Sequence, residues 1–297
     1  MVDDRERRRP YLVGLVGSGV TPSLTPPMHM VEAQRLGIDY VYRPIDLTAL
    51  DLSPESIGEI MTWAERLGYD ALNITHPCKR LVVQHLDRVD PVAASLGAVN
   101  TVVFTPEGRV GYNTDTTGFA AAFVTGLPDA ATERIVQLGA GGAGSAVADA
   151  LLRVGVAQLT IVDIDATRAA ELAADLSDRY GAGRAVTAEP ADLPAVLAAA
   201  DGVVHCTPTG MAEHPGIPFS ADLLRPDLWV ADIVYRPYET ELLLAARAIG
   251  ARTLDGGRMA VFQAVDAFEL ITGIRPDPDR MTAHFHRLVD PHEALTT

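Results

Sequence analysis

Two hydroxyls near the start of the chain have the spacing needed to bind a carboxylate. They belong to Ser23-Leu24-Thr25, where they stand two residues apart. In an extended loop such side chains point the same way, so both could bind one acidic group. A Ser/Thr/Pro turn without a ligand explains these residues equally well.

A lysine that could transfer a proton ends the segment Asn73-Ile74-Thr75-His76-Pro77-Cys78-Lys79. We predict that this segment ends a strand and that Pro77 begins a helix, which puts Lys79 in the first helical turn. A cation there opposes the helix dipole, so structure alone does not favour it. Lys79 is therefore either a proton-transfer group or a solvated surface lysine. Cys78 is interpreted as a small buried filler.

Asp115 and Gln263 occupy positions where a ligand and the backbone compete for a polar side chain. Asp115 precedes a predicted helix at about 116–125, so it could cap that helix or take part in catalysis. Gln263 lies in a predicted apolar helix at about 259–272 and needs a partner if it is buried. A ligand and a backbone group are both candidates for that partner.

A glycine-rich turn, Gly139-Ala140-Gly141-Gly142-Ala143-Gly144, lies between a predicted strand at 134–138 and a small-residue helix at 145–152. In this setting, the first glycine allows a sharp turn and the second a close approach to a pyrophosphate. The third allows tight packing of the helix on the sheet. The helix N-terminus then attracts phosphate. The turn predicts a dinucleotide site, and an ordinary glycine-rich turn is the alternative.

Strands and helices alternate along most of the chain, which predicts an α/β fold with parallel strands covered by helices. Two predicted strands at 99–104 and 109–112 are instead joined by a short turn. The glycine-rich turn opens a further series of alternating strands and helices, typical of a doubly wound, Rossmann-type domain.

Composition narrows the functional classes. The chain has 297 residues, enough for about two domains. Its net charge of −15 argues against nucleic acid or an anionic membrane as a partner. Two cysteines do not make a disulfide framework, and no apolar run is long enough for a membrane span. The charged first ten residues are interpreted as a disordered leader, and the cytoplasm is the expected location.

Taken together, these segments resemble the shikimate/quinate dehydrogenase family from about Leu12 to Gly273. The matching motifs follow the order of that family along the chain. They are Ser23-Leu24-Thr25-Pro26, Asn73 to Lys79, Gly97-Ala98-Val99-Asn100-Thr101, Gly111-Tyr112-Asn113-Thr114-Asp115, Gly139 to Gly144, Cys206-Thr207-Pro208-Thr209-Gly210-Met211, Asp232-Ile233-Val234-Tyr235-Arg236-Pro237 and Gln263-Ala264.

The resemblance implies a substrate domain over residues 11–115, onto which C-terminal helices at 259–297 fold back. It also implies a Rossmann domain over 116–258, with the active site in the cleft between the two. Lys79 would be the acid/base and Asp115 its partner. The substrate carboxylate would be held by Ser23, Thr25 and Tyr235, and the ring hydroxyls by Thr75, Asn100, Asp115 and Gln263. The cofactor would contact Gly139, Ala140, Gly141, Gly142, Ala143, Gly144, Asp163, Arg168, Thr207, Pro208, Met211, Gly256 and Met259. No metal is implied.

One departure from the family pattern concerns the cofactor. NADP-using relatives usually have Asn-Arg-Thr after the second strand of the Rossmann domain, whereas this chain has Asp163-Ile164-Asp165. A carboxylate at Asp163 suits the 2′-hydroxyl of NAD ribose and repels the 2′-phosphate of NADP. We therefore expect NAD. Arg168, one turn along the next helix, is the remaining way in which NADP could be tolerated.

A second departure concerns the substrate. Biosynthetic shikimate dehydrogenases typically have Ser where this chain has Thr25, and Thr with an acidic cofactor residue resembles the quinate/shikimate enzymes. We therefore expect turnover of both shikimate and quinate by a monomer or homodimer. The alternatives are an NADP-using shikimate dehydrogenase, a paralogue for a related hydroxy- or amino-cyclohexane acid, and a non-catalytic NAD sensor. His205 replaces a frequent Asn and is interpreted as a packed strand-end residue.

Overall fold

The computed structural model describes residues 9–289, so most of the leader predicted over residues 1–10 lies outside the described residues. The chain divides into two compact units. The first takes in the residues up to Thr114 together with those from Ala264 onward, and the second is Asp115–Gln263. Each unit is an α/β structure, as the sequence predicts, and each has its own six-stranded sheet.

The first unit is built on a mixed sheet with the order β2-β1-β3-β5-β6-β4. Its strands are β1 (Tyr11–Gly17), β2 (Tyr40–Asp46), β3 (Ala71–Ile74), β4 (Arg88–Val89), β5 (Thr101–Thr105) and β6 (Gly108–Tyr112). Its first helices are α1 (Thr25–Arg35), α2 (Ile57–Arg66) and α3 (Pro91–Leu96). Strand β1 pairs in parallel with β2 and β3, whereas β5 is antiparallel to β3 and to β6. The predicted hairpin at 99–112 is therefore confirmed.

The helix predicted to begin at Pro77 is wrong. Residues 76–80 form turns, and a 3₁₀ helix follows at Leu81–His85. An α-helix would require the carbonyl of Lys79 to accept from Val83, but that carbonyl accepts the N–H of Val99 at 2.9 Å. The tertiary hydrogen bond replaces the helical one, so Lys79 lies in a turn.

The second unit is a doubly wound parallel sheet. Its elements are α4 (Thr114–Gly126), β7 (Arg134–Leu138), α5 (Gly142–Arg153), β8 (Gln158–Val162), α6 (Ala166–Tyr180), β9 (Ala185–Thr187), α7 (Leu193–Ala198), β10 (Gly202–His205), β11 (Trp229–Asp232), α8 (Glu241–Ala248), β12 (Thr253–Leu254) and the first half of α9 (Gly256–Thr272). The residues of α9 from Ala264 onward, and the first residue of α4, belong to the first unit. The strand order is β12-β11-β10-β7-β8-β9, and all neighbours are parallel. The order reverses at β7, so the gap between β7 and β10 is the topological switch point.

Apolar residues from both faces of this sheet are buried. One core cluster includes Val147 and Leu151 of α5, and a second includes Leu197 of α7 and Leu242 of α8. The last helix, α10 (Pro278–Val289), belongs to the first unit, where Arg280 pairs with the buried Glu32 of α1. Within residues 9–289, none of the helices has the length and hydropathy of a membrane span.

Candidate active site

The loop that carries Ser23 and Thr25 is fixed by the carboxylate of Asp46 at the end of β2. Asp46 accepts the N–H of Gly19 at 2.8 Å and the N–H and hydroxyl of Thr21 at 2.9 and 2.7 Å. These hydrogen bonds, led by the Thr21 hydroxyl, lower the pKa of Asp46 to about 2. Helix α1 begins at Thr25, and Leu24 has helical φ −84° and ψ −11°, so the prediction that Ser23 and Thr25 lie in an extended segment is wrong. The N–H of Thr25 donates to Ser23 Oγ at 3.3 Å.

Asn100 is held by a chain of buried polar side chains that crosses the first sheet. The hydroxyl of Tyr42 donates to Asn73 Oδ1 at 2.5 Å, and Asn73 Nδ2 donates to Thr101 Oγ1 at 2.9 Å. Thr101 donates in turn to Asn100 Oδ1 at 3.1 Å, and the N–H of Thr114 donates to the same oxygen at 2.9 Å. The orientation of the Asn100 amide is therefore set by its neighbours.

Thr75 follows the end of β3, beside the end of β1. Its N–H donates to the carbonyl of Val16 at 2.9 Å. A Cβ on Gly17 would lie 2.4 Å from Thr75 Cγ2, so the glycine makes room for this side chain. Because β1 and β3 are parallel, Thr75 lies at the same sheet edge as the loop containing Ser23 and Thr25.

Lys79 is half-buried and its backbone is tied to the segment that leads into Asn100 through the hydrogen bond to Val99. The carbonyl of Asn100 also accepts the N–H of Ile74 at 2.7 Å. The first unit therefore brings one amine, one amide and three hydroxyls to one sheet edge. Cys78 is buried and burial raises the pKa of its thiol, which confirms a filler rather than a nucleophile.

Asp115 is a buried residue in the first turn of α4 and belongs to the second unit. The helix begins at Thr114, so Asp115 lies inside the first turn and not at the N-cap position that was one of its two predicted roles. The N–H of Thr114 donates to Asn100 Oδ1 at 2.9 Å. The pairing of Asp115 with Lys79 stays a prediction.

The second unit also contains Tyr235 and Gln263. Both are half-buried, and burial raises the pKa of the Tyr235 phenol. Gln263 lies where α9 packs closely on α4, because a Cβ on Gly118 would be 2.7 Å from the Gln263 nitrogen. Their predicted contacts with substrate stay predictions.

The glycine-rich turn has the geometry expected of a phosphate-binding loop. Gly139 has φ +99°, which favours glycine, and a Cβ on Gly144 would lie 2.3 Å from the Gly139 carbonyl oxygen. A Cβ on Gly141 or Gly142 would meet no atom within 4 Å, so the backbone there faces open space. The helix begins at Gly142, three residues before the predicted start. A pyrophosphate fits this arrangement.

Gln137 supports this turn and was not identified by sequence reasoning. Its fully buried amide nitrogen donates to the carbonyls of Gly139 and Gly144, each at 2.9 Å. The available signal was a single polar residue inside the apolar strand β7, which must find buried partners.

Asp163, at the end of β8, is 7% exposed and already has structural partners. Its two carboxylate oxygens accept the N–H groups of Ala140 at 2.7 Å and Asp165 at 2.8 Å. Each oxygen retains a second lone pair that can accept a ribose hydroxyl. The guanidinium of Arg168 pairs with Asp165 at 3.1 Å and lies 4.0 Å from Asp163.

The remaining cofactor candidates lie near the ends of β10, β11 and β12. Thr207 and Pro208 directly follow β10, and Met211 is partly exposed further along the same loop. Gly256 begins α9, where a Cβ would lie 2.3 Å from the carbonyl oxygen of Ile233, and Met259 is buried one turn later. Among residues 9–289, no cluster of His, Cys, Asp and Glu could hold a metal ion.

Comparisons with known proteins agree with this geometry. Residues 15–102 match the shikimate dehydrogenase substrate binding domain, and residues 135–213 match the saccharopine dehydrogenase NADP binding domain. A shikimate dehydrogenase (NADP(+)) of Streptomyces avermitilis is 60% identical over 94% of this chain and 96% of that protein. A quinate/shikimate dehydrogenase (NAD(+)) of Corynebacterium efficiens is 48% identical over 92% of this chain and 97% of that protein.

Solved structures show the same similarity. The quinate dehydrogenase from Corynebacterium glutamicum in complex with NAD superposes with a TM-score of 0.88 at 46% identity, covering 93% of this chain and 99% of that one. The similar proteins thus include both NAD and NADP enzymes.

Proposed function

This chain belongs to the shikimate/quinate dehydrogenase family, and from that premise we propose that it oxidises and reduces the ring hydroxyl of shikimate and quinate with NAD. The observation that carries the proposal is the sheet edge of the first unit. It presents Ser23, Thr25, Thr75, Lys79 and Asn100 together, on a backbone that Asp46 and the buried network hold in place. These groups suit a polyhydroxylated ring acid.

Side chains of this protein bind the substrate and transfer the proton. Hydroxyls of Ser23 and Thr25, with the Tyr235 phenol, bind the carboxylate and orient the ring at modest affinity, since no arginine takes part. In this proposal Lys79 accepts the proton of the reacting hydroxyl, and Asp115 is its partner. When bound, the nicotinamide supplies the hydride acceptor.

Asp163 supports NAD as the cofactor. A charged hydrogen bond from its carboxylate to a ribose 2′-hydroxyl contributes roughly 1.5–3 kcal/mol. A 2′-phosphate about 4 Å away is repelled by up to about 4 kcal/mol at an effective dielectric constant of about 20. Arg168 does not offset this repulsion well, because its guanidinium already pairs with Asp165.

A shikimate dehydrogenase that uses NADP is the second candidate. The 60% identity to the Streptomyces avermitilis NADP(+) enzyme favours it. The two candidates differ in the cofactor and in the turnover of quinate, whereas a paralogue for another ring acid differs in the principal substrate.

Initial rates for shikimate and quinate, each with NAD and with NADP, test the proposal. We expect turnover of both acids and a higher kcat/KM with NAD than with NADP. A preference for NADP would overturn the cofactor assignment. Undetectable quinate turnover with NAD would overturn the substrate assignment. Dinucleotide binding without turnover of either acid would leave a non-catalytic NAD sensor as the remaining function.

We also expect a cytoplasmic enzyme.

A further inference from the structure

A buried histidine at the end of β10 connects the end of β11 to a threonine beside the glycine-rich turn. The parallel register places His205 opposite Asp232, and both side chains are buried. His205 Nδ1 lies 3.0 Å from Asp232 Oδ1, and its Nε2 lies 2.5 Å from Thr207 Oγ1. The three side chains form one hydrogen-bonded series that ends at Thr207.

In each hydrogen bond of this series, the donor and the acceptor can be assigned. Asp232 also accepts the N–H of Val234 at 3.0 Å and the hydroxyl of Thr240 at 2.7 Å, so its carboxylate acts as an acceptor throughout. Nδ1 of His205 is therefore the donor to Asp232, and in the tautomer that carries its single proton at Nδ1 the other nitrogen, Nε2, is an acceptor. In that tautomer the Thr207 hydroxyl donates to His205 Nε2, which leaves the Thr207 oxygen only lone pairs for other partners.

One of those lone pairs remains for a ligand. The half-buried Thr207 oxygen accepts the N–H of Thr209 at 3.3 Å, and a hydroxyl oxygen has two lone pairs. Thr207 also lies directly against the glycine-rich turn, because a Cβ on Gly139 would be 3.1 Å from Thr207 Cγ2. A donor on a molecule bound at that turn is therefore near this oxygen.

The order of the strands indicates which half of a bound dinucleotide would lie near Thr207. A pyrophosphate at the N-terminus of α5 sits at the end of β7, and Asp163 places the adenosine ribose at the end of β8. Strand β10 lies on the other side of β7. The nicotinamide half therefore extends toward β10 and Thr207.

We propose that His205, supported by Asp232, is a positioning residue that fixes the Thr207 hydroxyl as a hydrogen-bond acceptor for the nicotinamide half of the dinucleotide. The donor is a carboxamide N–H or a ribose hydroxyl. The inference rests on the proposed function only in requiring that a nicotinamide dinucleotide binds the second unit. Its test therefore uses binding rather than turnover.

Two substitutions of His205 distinguish between two roles of this residue: orienting the Thr207 hydroxyl and donating a hydrogen bond to Asp232. The short amide of His205→Asn takes the place of Nδ1 and can bond Asp232, but it does not reach Thr207. The longer amide of His205→Gln reaches the place of Nε2 and can bond Thr207. If His205 served only to satisfy Asp232, Asn would be the better replacement.

The experiment measures the Kd of NADH and NADPH by protein fluorescence, with thermal unfolding as a check of folding. We expect about fivefold weaker binding of the preferred dinucleotide for His205→Asn and for Thr207→Val, as for one lost hydrogen bond. His205→Gln and Thr207→Ser should stay within about twofold of the wild type. The double variant His205→Asn/Thr207→Val should bind as Thr207→Val does, because His205 acts through Thr207.

If the two substitutions act independently, the double variant binds the dinucleotide about 25-fold more weakly than the wild type. That result would overturn the inference. An unchanged Kd for His205→Asn would also overturn it, and so would a larger loss of affinity for His205→Gln than for His205→Asn. If His205→Asn does not fold, ¹⁵N NMR of the wild type decides: we expect protonated Nδ1 and unprotonated Nε2 at His205, and protonated Nε2 would contradict it. Failed turnover with normal binding would count against the proposed function alone.

Discussion

Asp163 combines two tasks in one side chain, because its carboxylate accepts the N–H of Ala140 in the glycine-rich turn and lies where a cofactor ribose is expected. We predict that Asp163→Asn lowers the ratio of kcat/KM with NAD to that with NADP by tenfold or more, that is, by at least about 1.4 kcal/mol. The negative charge that repels a 2′-phosphate is lost, and the acceptor for the ribose hydroxyl is weakened. Initial rates with both cofactors measure this ratio.

Asp165→Asn is the matched control for that prediction. Asp165 is two residues away, is 44% exposed and caps α6 by accepting the N–H of Arg168 at 3.1 Å. Its substitution removes the same charge without touching the glycine-rich turn. Because it also removes the ion-pair partner of Arg168, we expect the ratio to fall, but less than for Asp163→Asn. An equal change in the cofactor ratio for both variants would show that general charge, and not the carboxylate of Asp163, sets the preference.

At the residue scale, sequence reasoning identified groups by motif and missed those that act through another residue. The positive φ of Gly139 and the close packing at Gly144 follow from the motif itself. Asp46 and the link from His205 to Asp232 depend on strands that are neighbours only in the folded sheet. A single sequence does not show which residues of neighbouring strands lie opposite each other, so the hydrogen-bond partners of these side chains could not be predicted.

At the scale of elements, the loop between β1 and α1 depends on a carboxylate from β2. We predict that Asp46→Asn raises the KM for shikimate about tenfold and leaves the Kd of NADH unchanged. The Asn amide can accept from one backbone N–H but presents a donor to the other, so the loop with Ser23 and Thr25 loosens. Steady-state kinetics and NADH titration measure the two quantities.

Asp70→Asn is the control for the loop. Asp70 accepts the N–H of Leu12 at 2.8 Å and so joins β3 to β1 at the opposite edge of the same sheet. We expect its substitution to lower stability without a selective change in KM. Similar KM values for Asp46→Asn and the wild type would contradict the assigned role of the loop.

Elements with a strong local pattern were predictable, and elements fixed by distant contacts were not. Strand β7 begins and ends as predicted, because it is an apolar run that ends at a glycine-rich turn. The α-helix expected at Pro77 is absent because Lys79 bonds Val99 instead. Helix α3 was missed although its signals are local: Asp90 caps it, and Gly97 ends it with φ 58°.

At the scale of the whole molecule, a buried histidine makes folding depend on pH. His29 packs against the rings of Tyr42 and Phe268, and burial lowers its pKa from 6.5 to about 3. Between these values the unfolded chain binds a proton that the folded chain does not. Stability therefore falls as pH falls, by up to about 1.4 kcal/mol per pH unit from this group.

Chemical denaturation from pH 4.5 to 8.5 measures that dependence. We expect the free energy of unfolding of His29→Gln to fall less steeply below pH 6.5 than that of the wild type, because Gln does not titrate. Above about pH 7.5 the two curves should run parallel. Parallel curves over the whole range would assign the acid sensitivity to other groups.

We propose that proton transfer depends on Lys79 of the first unit, whereas binding of the cofactor depends on the second unit. Replacing Lys79 by Ala tests this division most directly, with Ala in place of the exposed neighbour Arg80 as the control. We predict that Lys79→Ala lowers kcat by about 10²- to 10⁴-fold and leaves the Kd of NADH unchanged, while Arg80→Ala changes neither. Unchanged kcat in Lys79→Ala would contradict the central claim.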